Sequence, residues 1–284
     1  MNQSPALGDA ARARSGPPRR GLFVVFEGGD GAGKSTQVQL LARWLEERAV
    51  PHVVTREPGG TPLGARLREV LLHTDDGPSP RAEALLFAAD RAHHVERLVR
   101  PALERGEWVV SDRYVDSSIA YQGGGRGLDA DAIADLSRWA TDELVPDLTA
   151  LLDVPVDVGA ARRGRAADRM ESESAAFHEQ VAQRFRQLAA AAPRRYLVLD
   201  ATRPADELAA IVRARLEPLA GGHDAVDGPR DAGAGHAAAG DAGTEDAGTE
   251  DAGPEGPGAD DAGADDAGAD DARARVGGGA EVRP

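Results

Sequence analysis

The chain has no cysteine, a single lysine and no long apolar run. Without cysteine there can be no disulfide, no thiolate catalysis and no zinc site built on sulfur. Seven histidines remain, but none has the spacing of a metal ligand set, and the adjacent His93 and His94 on a helical pattern point different ways. No segment reaches the roughly 18 apolar residues of a membrane span. No apolar stretch of signal-peptide length follows the arginines of residues 1–20, so a cytoplasmic protein with no membrane partner is expected.

A formal net charge of −15 argues against a nucleic-acid partner, since phosphate backbones require clustered positive charge. The acidity is concentrated at one end: residues 221–284 hold 16 Asp and Glu against 4 Arg. There DAGTE, DAGTE and DAGPE give way to DDAGA repeats, with three valines as the only large apolar residues. Such a segment cannot bury enough surface to offset chain entropy. Residues 220–284 are therefore expected to be a disordered tail, either a solubilising appendage or an acidic surface for a basic partner. Residues 1–20 form a shorter leader, with Arg12, Arg14, Arg19 and Arg20 among Pro, Gly and Ala. Residues 21–219 between them suffice for one domain with a real core.

The one lysine, Lys34, stands in GGDGAGKST, after an apolar run and before a helical pattern. Gly28, Gly33, Lys34 and Ser35 satisfy the phosphate-binding pattern G-x-x-x-x-G-K-[ST]. Small residues let successive backbone N–H groups turn onto a phosphate, and the following helix aims its positive dipole end at the same place. The loop residues Gly28, Gly29, Asp30, Gly31, Ala32, Gly33, Lys34, Ser35 and Thr36 are the candidate ATP cradle. Lys34 would reach the β and γ phosphates as a compact point charge, and Ser35 would set a hydroxyl on Mg²⁺. A switch GTPase shares this loop, but its N-K-x-D motif needs a second lysine, which the chain lacks.

LFVVFE, HVVTRE, WVVSD, LTALLDV and YLVLD are apolar runs separated by helical patterns. They predict an α/β fold: a three-layer sandwich around a five-stranded parallel sheet of the phosphate-loop NTPase type. Its site should lie at the carboxyl ends of the strands. After the second run, Arg56 suits a bidentate grip on phosphate, unless it only pairs with Glu57 or another acid. After the third, Asp112 stands where phosphate-loop enzymes hold Mg²⁺, with Arg113 beside it, although the two could form a plain ion pair. Phe87 and Arg91 share a helix face, either as a base-stacking pair or as part of the core. Arg162, Arg163, Arg165 and Arg169 cluster in a segment that is either a solvated helix face or a mobile arginine-rich lid at about 160–172.

FEGGDGAGKSTQ, TREPGGTPLG, LLFAADRAHHV, SDRYVDSSIAYQG, DRME and LDATRP, taken together over residues 22–219, resemble bacterial thymidylate kinase, which phosphorylates dTMP with ATP and Mg²⁺. The resemblance implies that Asp30 helps hold the acceptor or the metal, that Arg56 and Arg113 bind the dTMP phosphate, and that Phe87 stacks on thymine. It implies that Arg91 meets the base carbonyl, that Ser117 and Ser118 lie near the base edge, and that Tyr121 crowds the 2′ position. Thr202 and Arg203 fall in the loop near adenine. Gly31 and Ala32 stand where some relatives carry a catalytic loop arginine, so the lid type is implied, with Arg165 and Arg169 as catalytic candidates beside Lys34, Asp30 and Arg113. The lid spacing departs from the family pattern, with Gly164 four residues before Asp168. The family also implies a homodimer packed through sheet-covering helices.

Overall fold

A computed structural model describes residues 20–74, 77–163 and 168–220. The acidic tail, the leader up to residue 19, and Gly164 and Arg165 lie outside the described residues.

All five apolar runs form strands: β1 (Phe23–Glu27), β2 (His52–Arg56), β3 (Trp108–Asp112), β4 (Leu148–Asp153) and β5 (Tyr196–Asp200). They make one parallel sheet in the order β2-β3-β1-β4-β5. Because successive strand residues point to opposite faces, β1 builds two cores. Val24 and Phe26 pack with Trp44, Trp108 and Leu216 under helices α1 (Lys34–Glu47) and α9 (Ala205–Ala220). Phe23 and Val25 face the other way, onto Val95, Val99, Leu103 and Tyr114. The central strands are buried on both faces, whereas the edge strands leave Val54 and Val198 about half exposed.

The segment between β2 and β3 folds as α2 (Pro62–Leu72), α3 (Pro80–His94), a π-helical turn at Val95–Val99 and the short α4 (Arg100–Glu104). Thr61 starts α2 by accepting the Gly64 N–H at 3.0 Å, with Pro62 at the first helical position, where its missing N–H costs nothing. After β3 come α5 (Val115–Ser118), a second π-helical stretch at Ile119–Gly125 and α6 (Ala130–Thr141). The polar, glycine-rich VDSSIAYQGGG is therefore helical, with Ile119, Ala120 and Tyr121 buried. After β4, α7 (Val156–Arg162) opens the arginine-rich segment and α8 (Ala175–Ala191) packs Phe177, Val181 and Phe185 against Tyr121 and Leu151.

Strand register decides where the chemistry gathers. Arg56 and Phe26 both stand opposite Asp112, and Asp153 opposite Asp200, so the strand ends form one row. Among the described residues, no helix is long and apolar enough to cross a membrane.

Candidate active site

A cleft of about 850 Å³ opens over this row of strand ends. On its floor lies the loop between β1 and α1. Gly31 takes φ +78°, and a Cβ there would come within 2.1 Å of the Gly159 carbonyl oxygen, so only glycine lets α7 rest on the loop backbone. Lys34 begins α1 and is 7% exposed; its Nζ donates to the carbonyls of Gly28 at 3.1 Å and Gly29 at 2.8 Å. Burial, and then the neighbouring Arg113, bring the lysine down to about 8, against the opposing pull of Asp112, Asp30 and Glu27.

Ser35 Oγ donates to Asp112 Oδ2 at 2.7 Å, so the loop hydroxyl and the carboxylate ending β3 already face one another at the cleft. Two hard oxygen donors beside a phosphate cradle fit Mg²⁺, which takes its remaining ligands from water and substrate phosphates. No group of three or more His, Asp or Glu that could hold a metal without such help occurs among the described residues.

Asp30 is placed differently from a free metal ligand. Its carboxylate pairs with Arg113 Nη2 through Oδ1 and accepts the Tyr121 hydroxyl at 2.7 Å through Oδ2. Burial alone would raise this carboxyl; Arg113, Lys34 and Tyr121 outweigh it and hold it at about 2. Arg113 also donates through Nη1 to Ser117 Oγ at 3.0 Å and to the Gly28 carbonyl at 3.2 Å. Its backbone is left-handed at φ +73°, a conformation costing a non-glycine residue about 1–3 kcal/mol, and it is held there by the Arg113 N–H to Phe26 O bond of 2.9 Å.

Behind these residues stand two buried carboxylates whose partners are distant in sequence. Glu27 accepts from the Tyr114 N–H at 2.8 Å, the Ser117 N–H at 3.2 Å and the Ser117 hydroxyl at 2.6 Å, fixing the segment that carries Arg113. Burial, reinforced by Asp116, raises its carboxyl to about 7. Glu57 receives Arg91 Nε at 2.7 Å and pairs with His94 Nδ1 at 2.8 Å. Arg91, expected at the base, lines the cleft but is 2% exposed, and its Nη2 donates to Ser118 Oγ and to the Tyr114 carbonyl. Ser117 and Ser118 thus hold arginines while also lining the cleft.

The cleft is also lined by Arg56, Arg68, Phe87 and Tyr121, and by Ala201, Thr202, Arg203 and Arg162. Phe87 is half-buried and packs against the apolar cluster that contains Leu72, Tyr121 and Met170. Arg203 pairs with Glu207 at 2.8 Å and Thr202 Oγ1 donates to Asp200 at 2.6 Å, so both side chains have local partners. Arg169 is not among the residues lining the cleft. Its Nη2 donates at 2.5 Å to the buried Glu83, which also receives Gln122 and Arg126, and its Nε donates to the Leu71 carbonyl at 3.0 Å.

A phosphate loop at the end of a central strand, a second set of arginines across one cleft and a sheet order of β2-β3-β1-β4-β5 define a phosphate-loop nucleotide kinase fold. Residues 26–211 match the family model of thymidylate kinase. Curated relatives include the thymidylate kinases of Clavibacter sepedonicus, 59% identical over 204 residues covering 70% of this chain and 96% of the relative, and Clavibacter michiganensis subsp. michiganensis, 56% identical over 202 residues with the same coverage. That of Carboxydothermus hydrogenoformans is 46% identical over 204 residues, covering 71% of this chain and all of the relative. The chain belongs to the thymidylate kinase family.

Proposed function

We propose that this thymidylate kinase moves the γ-phosphoryl group of ATP in line onto the 5′-phosphate of dTMP, giving ADP and dTDP with no covalent intermediate. A phosphate oxygen of dTMP forms the new bond to the γ phosphorus as the bond to the β–γ bridging oxygen breaks. The acceptor is already an anion, so no general base is required. Alignment and charge neutralisation are the protein's tasks.

The observation that carries this reading is the meeting of the phosphate loop with Arg56, Phe87, Arg91, Arg113 and Tyr121 around one cleft. Lys34 and the loop amides hold the ATP phosphates, with Thr202 and Arg203 near adenine through their backbone. Ser35 and Asp112 would hold Mg²⁺, which when bound neutralises charge on the β and γ oxygens. On the acceptor side Arg56 and Arg113 grip the dTMP phosphate, Phe87 stacks on thymine, Arg91 meets the base with Ser117 and Ser118 at its edge, and Tyr121 disfavours a 2′ hydroxyl. Arg165 and Arg169 are the candidates to stabilise the transferring group. Arg169 has to exchange Glu83 for phosphate to do so.

We read the enzyme as a cytoplasmic homodimer; large apolar side chains exposed on two helices, Leu85 on α3 and Trp139, 82% exposed, on α6, support the dimer. Steady-state kinetics across dTMP, dUMP, UMP, CMP, AMP and GMP test the acceptor. The expected result is the highest kcat/KM with dTMP; preference for any of the last four sinks the reading.

A further inference from the structure

After β5 the chain runs through Ala201, Thr202, Arg203 and Pro204 into α9 along the wall of the cleft. The polar side chains of this segment are engaged locally, Thr202 Oγ1 with Asp200 and Arg203 with Glu207, which leaves the backbone to meet a base. Backbone groups cannot swing toward a ligand as a side chain can, so they recognise one only where surrounding hydrogen bonds hold the chain in place. Both ends of the segment are tied. The Ala201 N–H donates to the Asp153 carbonyl at 2.8 Å, and the Ala201 carbonyl accepts Arg162 Nη1 at 2.8 Å. At the far end the Ala205 carbonyl accepts Gln37 Nε2, also at 2.8 Å.

Gln37 belongs to α1, the helix that opens with Lys34, and its own N–H donates to the Gly33 carbonyl at 3.1 Å. Three positions separate it from Lys34, so the two side chains leave one helix turn on neighbouring lines. One turn therefore carries both the ammonium of the phosphate loop and the amide that holds the segment after β5. The glutamine is only 2% exposed, and its Oε1 is buried with no hydrogen-bond partner among the described residues. A buried amide satisfied at one end is less favourable than an apolar side chain of the same shape, which strands no acceptor. Packing alone gives no reason for glutamine here; the bond to Ala205 does.

We infer that Gln37 is a positioning residue for the donor nucleotide: by holding Ala205 it fixes the span between the phosphate loop and the backbone that meets adenine. Triphosphate and base are then gripped at a set separation, and ATP gains affinity from its base that a bare phosphate chain does not have. This inference rests on the donor reading given above. The two partners lie 168 positions apart, so in GKSTQVQLL the glutamine looks like one more polar position of an amphipathic helix.

The test titrates the full-length protein, with Mg²⁺ present, against ATP and against tripolyphosphate, which keeps the phosphate chain and lacks the nucleoside. Gln37→Met removes the amide at nearly the same volume, and Gln37→Glu keeps the shape while setting a second acceptor against the Ala205 carbonyl. Each variant should raise the ATP Kd by at least about fivefold, the equivalent of one lost hydrogen bond, and leave the tripolyphosphate Kd within about twofold. Equal weakening of both ligands would make Gln37 a support of the phosphate loop, and an unchanged ATP Kd in either variant would show that the segment keeps its place without the amide; either result overturns the inference. A wild type that binds ATP no tighter than tripolyphosphate defeats the donor reading itself, whatever Gln37 does.

Discussion

Asp30 and Arg113 form an ion pair that joins the phosphate loop to the segment after β3, and Tyr121 closes the triangle with its hydroxyl on Asp30 Oδ2. One carboxylate in the loop after β1 therefore sets the direction of an arginine after β3, which on the proposed reading faces the acceptor. In-line transfer requires two substrates to be brought closely into line, and on the proposed reading this pair links their sites.

Asp30→Asn keeps the shape of the side chain and removes the charge, leaving Arg113, only 17% exposed, without its partner. We expect kcat/KM for dTMP to fall at least about tenfold, roughly 1.4 kcal/mol, with a lower Tm because a mostly buried cation is left unpaired. Steady-state kinetics and a thermal melt check both. The sign with pH is also fixed. A carboxyl lowered from 3.8 to about 2 contributes stability that is present above its unfolded pKa and lost as pH falls through about 2. Any loss of activity between pH 5 and 7 must therefore come from another group.

Lys34→Arg preserves charge but not shape. The Nζ reaches two carbonyls of its own loop from a nearly closed position, and a planar guanidinium cannot occupy that point without displacing the loop backbone. The variant should lose at least about tenfold in kcat, roughly 1.4 kcal/mol of transition-state stabilisation. With the wild-type lysine titrating at about 8, ATP affinity of the free enzyme should weaken as pH rises through that value, because the cation is present below it and lost above. Titrations of ATP at pH 7 and pH 9 decide whether it does.

Several of these residues were legible in the chain alone because position and chemistry coincide. Unbroken apolar runs gave the five strands, and the polar residues directly after them, Asp30, Arg56, Asp112 and Arg113, meet in the cleft. Residues whose meaning depends on long-range partners were not legible. Glu27 looks like the polar end of a strand, yet it holds Tyr114 and Ser117 nearly 90 positions away. Helix spacing leaves Arg91 open between a base contact and the core, and only the fold shows that Glu57, 34 positions earlier, receives its Nε. Arg169 sits in an arginine-rich run that suggests transferable charge, and only the fold reveals Glu83 beneath it. Local pattern reports secondary structure well; it does not report which buried acid a surface-looking arginine will find.

Glu27 offers a pH test of that hidden layer. Its carboxyl is raised from 4.5 to about 7, by burial first and by Asp116 second, so the folded state favours its neutral form. The stability this contributes is complete below about 4.5 and is lost as pH rises through about 7. Glu27→Gln cannot titrate; its Oε1 can still accept the two backbone N–H groups, but its amide nitrogen replaces the Oε2 that accepts the Ser117 hydroxyl. We expect a lower Tm than wild type at every pH, with the gap narrowing between pH 5.5 and pH 8.5 as the wild type loses its share. A gap that stays constant across that window would show that Glu27 does not change charge there.

Phe87 separates stacking from packing. The residue packs against the cluster of Leu72, Tyr121 and Met170 while also lining the cleft, so truncation acts on both stability and binding. The two can be told apart because only one depends on ligand. Phe87→Ala should weaken dTMP binding by about 1–3 kcal/mol, the range for a base stacked on an aromatic ring, and leave the ATP Kd unchanged because on the proposed reading the ring meets only the acceptor base. Phe87→Leu refills most of the packing volume without a π face, so it should recover Tm while dTMP affinity stays low. If Phe87→Leu instead recovers both, the ring serves the core alone, and thymine must be held by edge contacts to Arg91, Ser117 and Ser118.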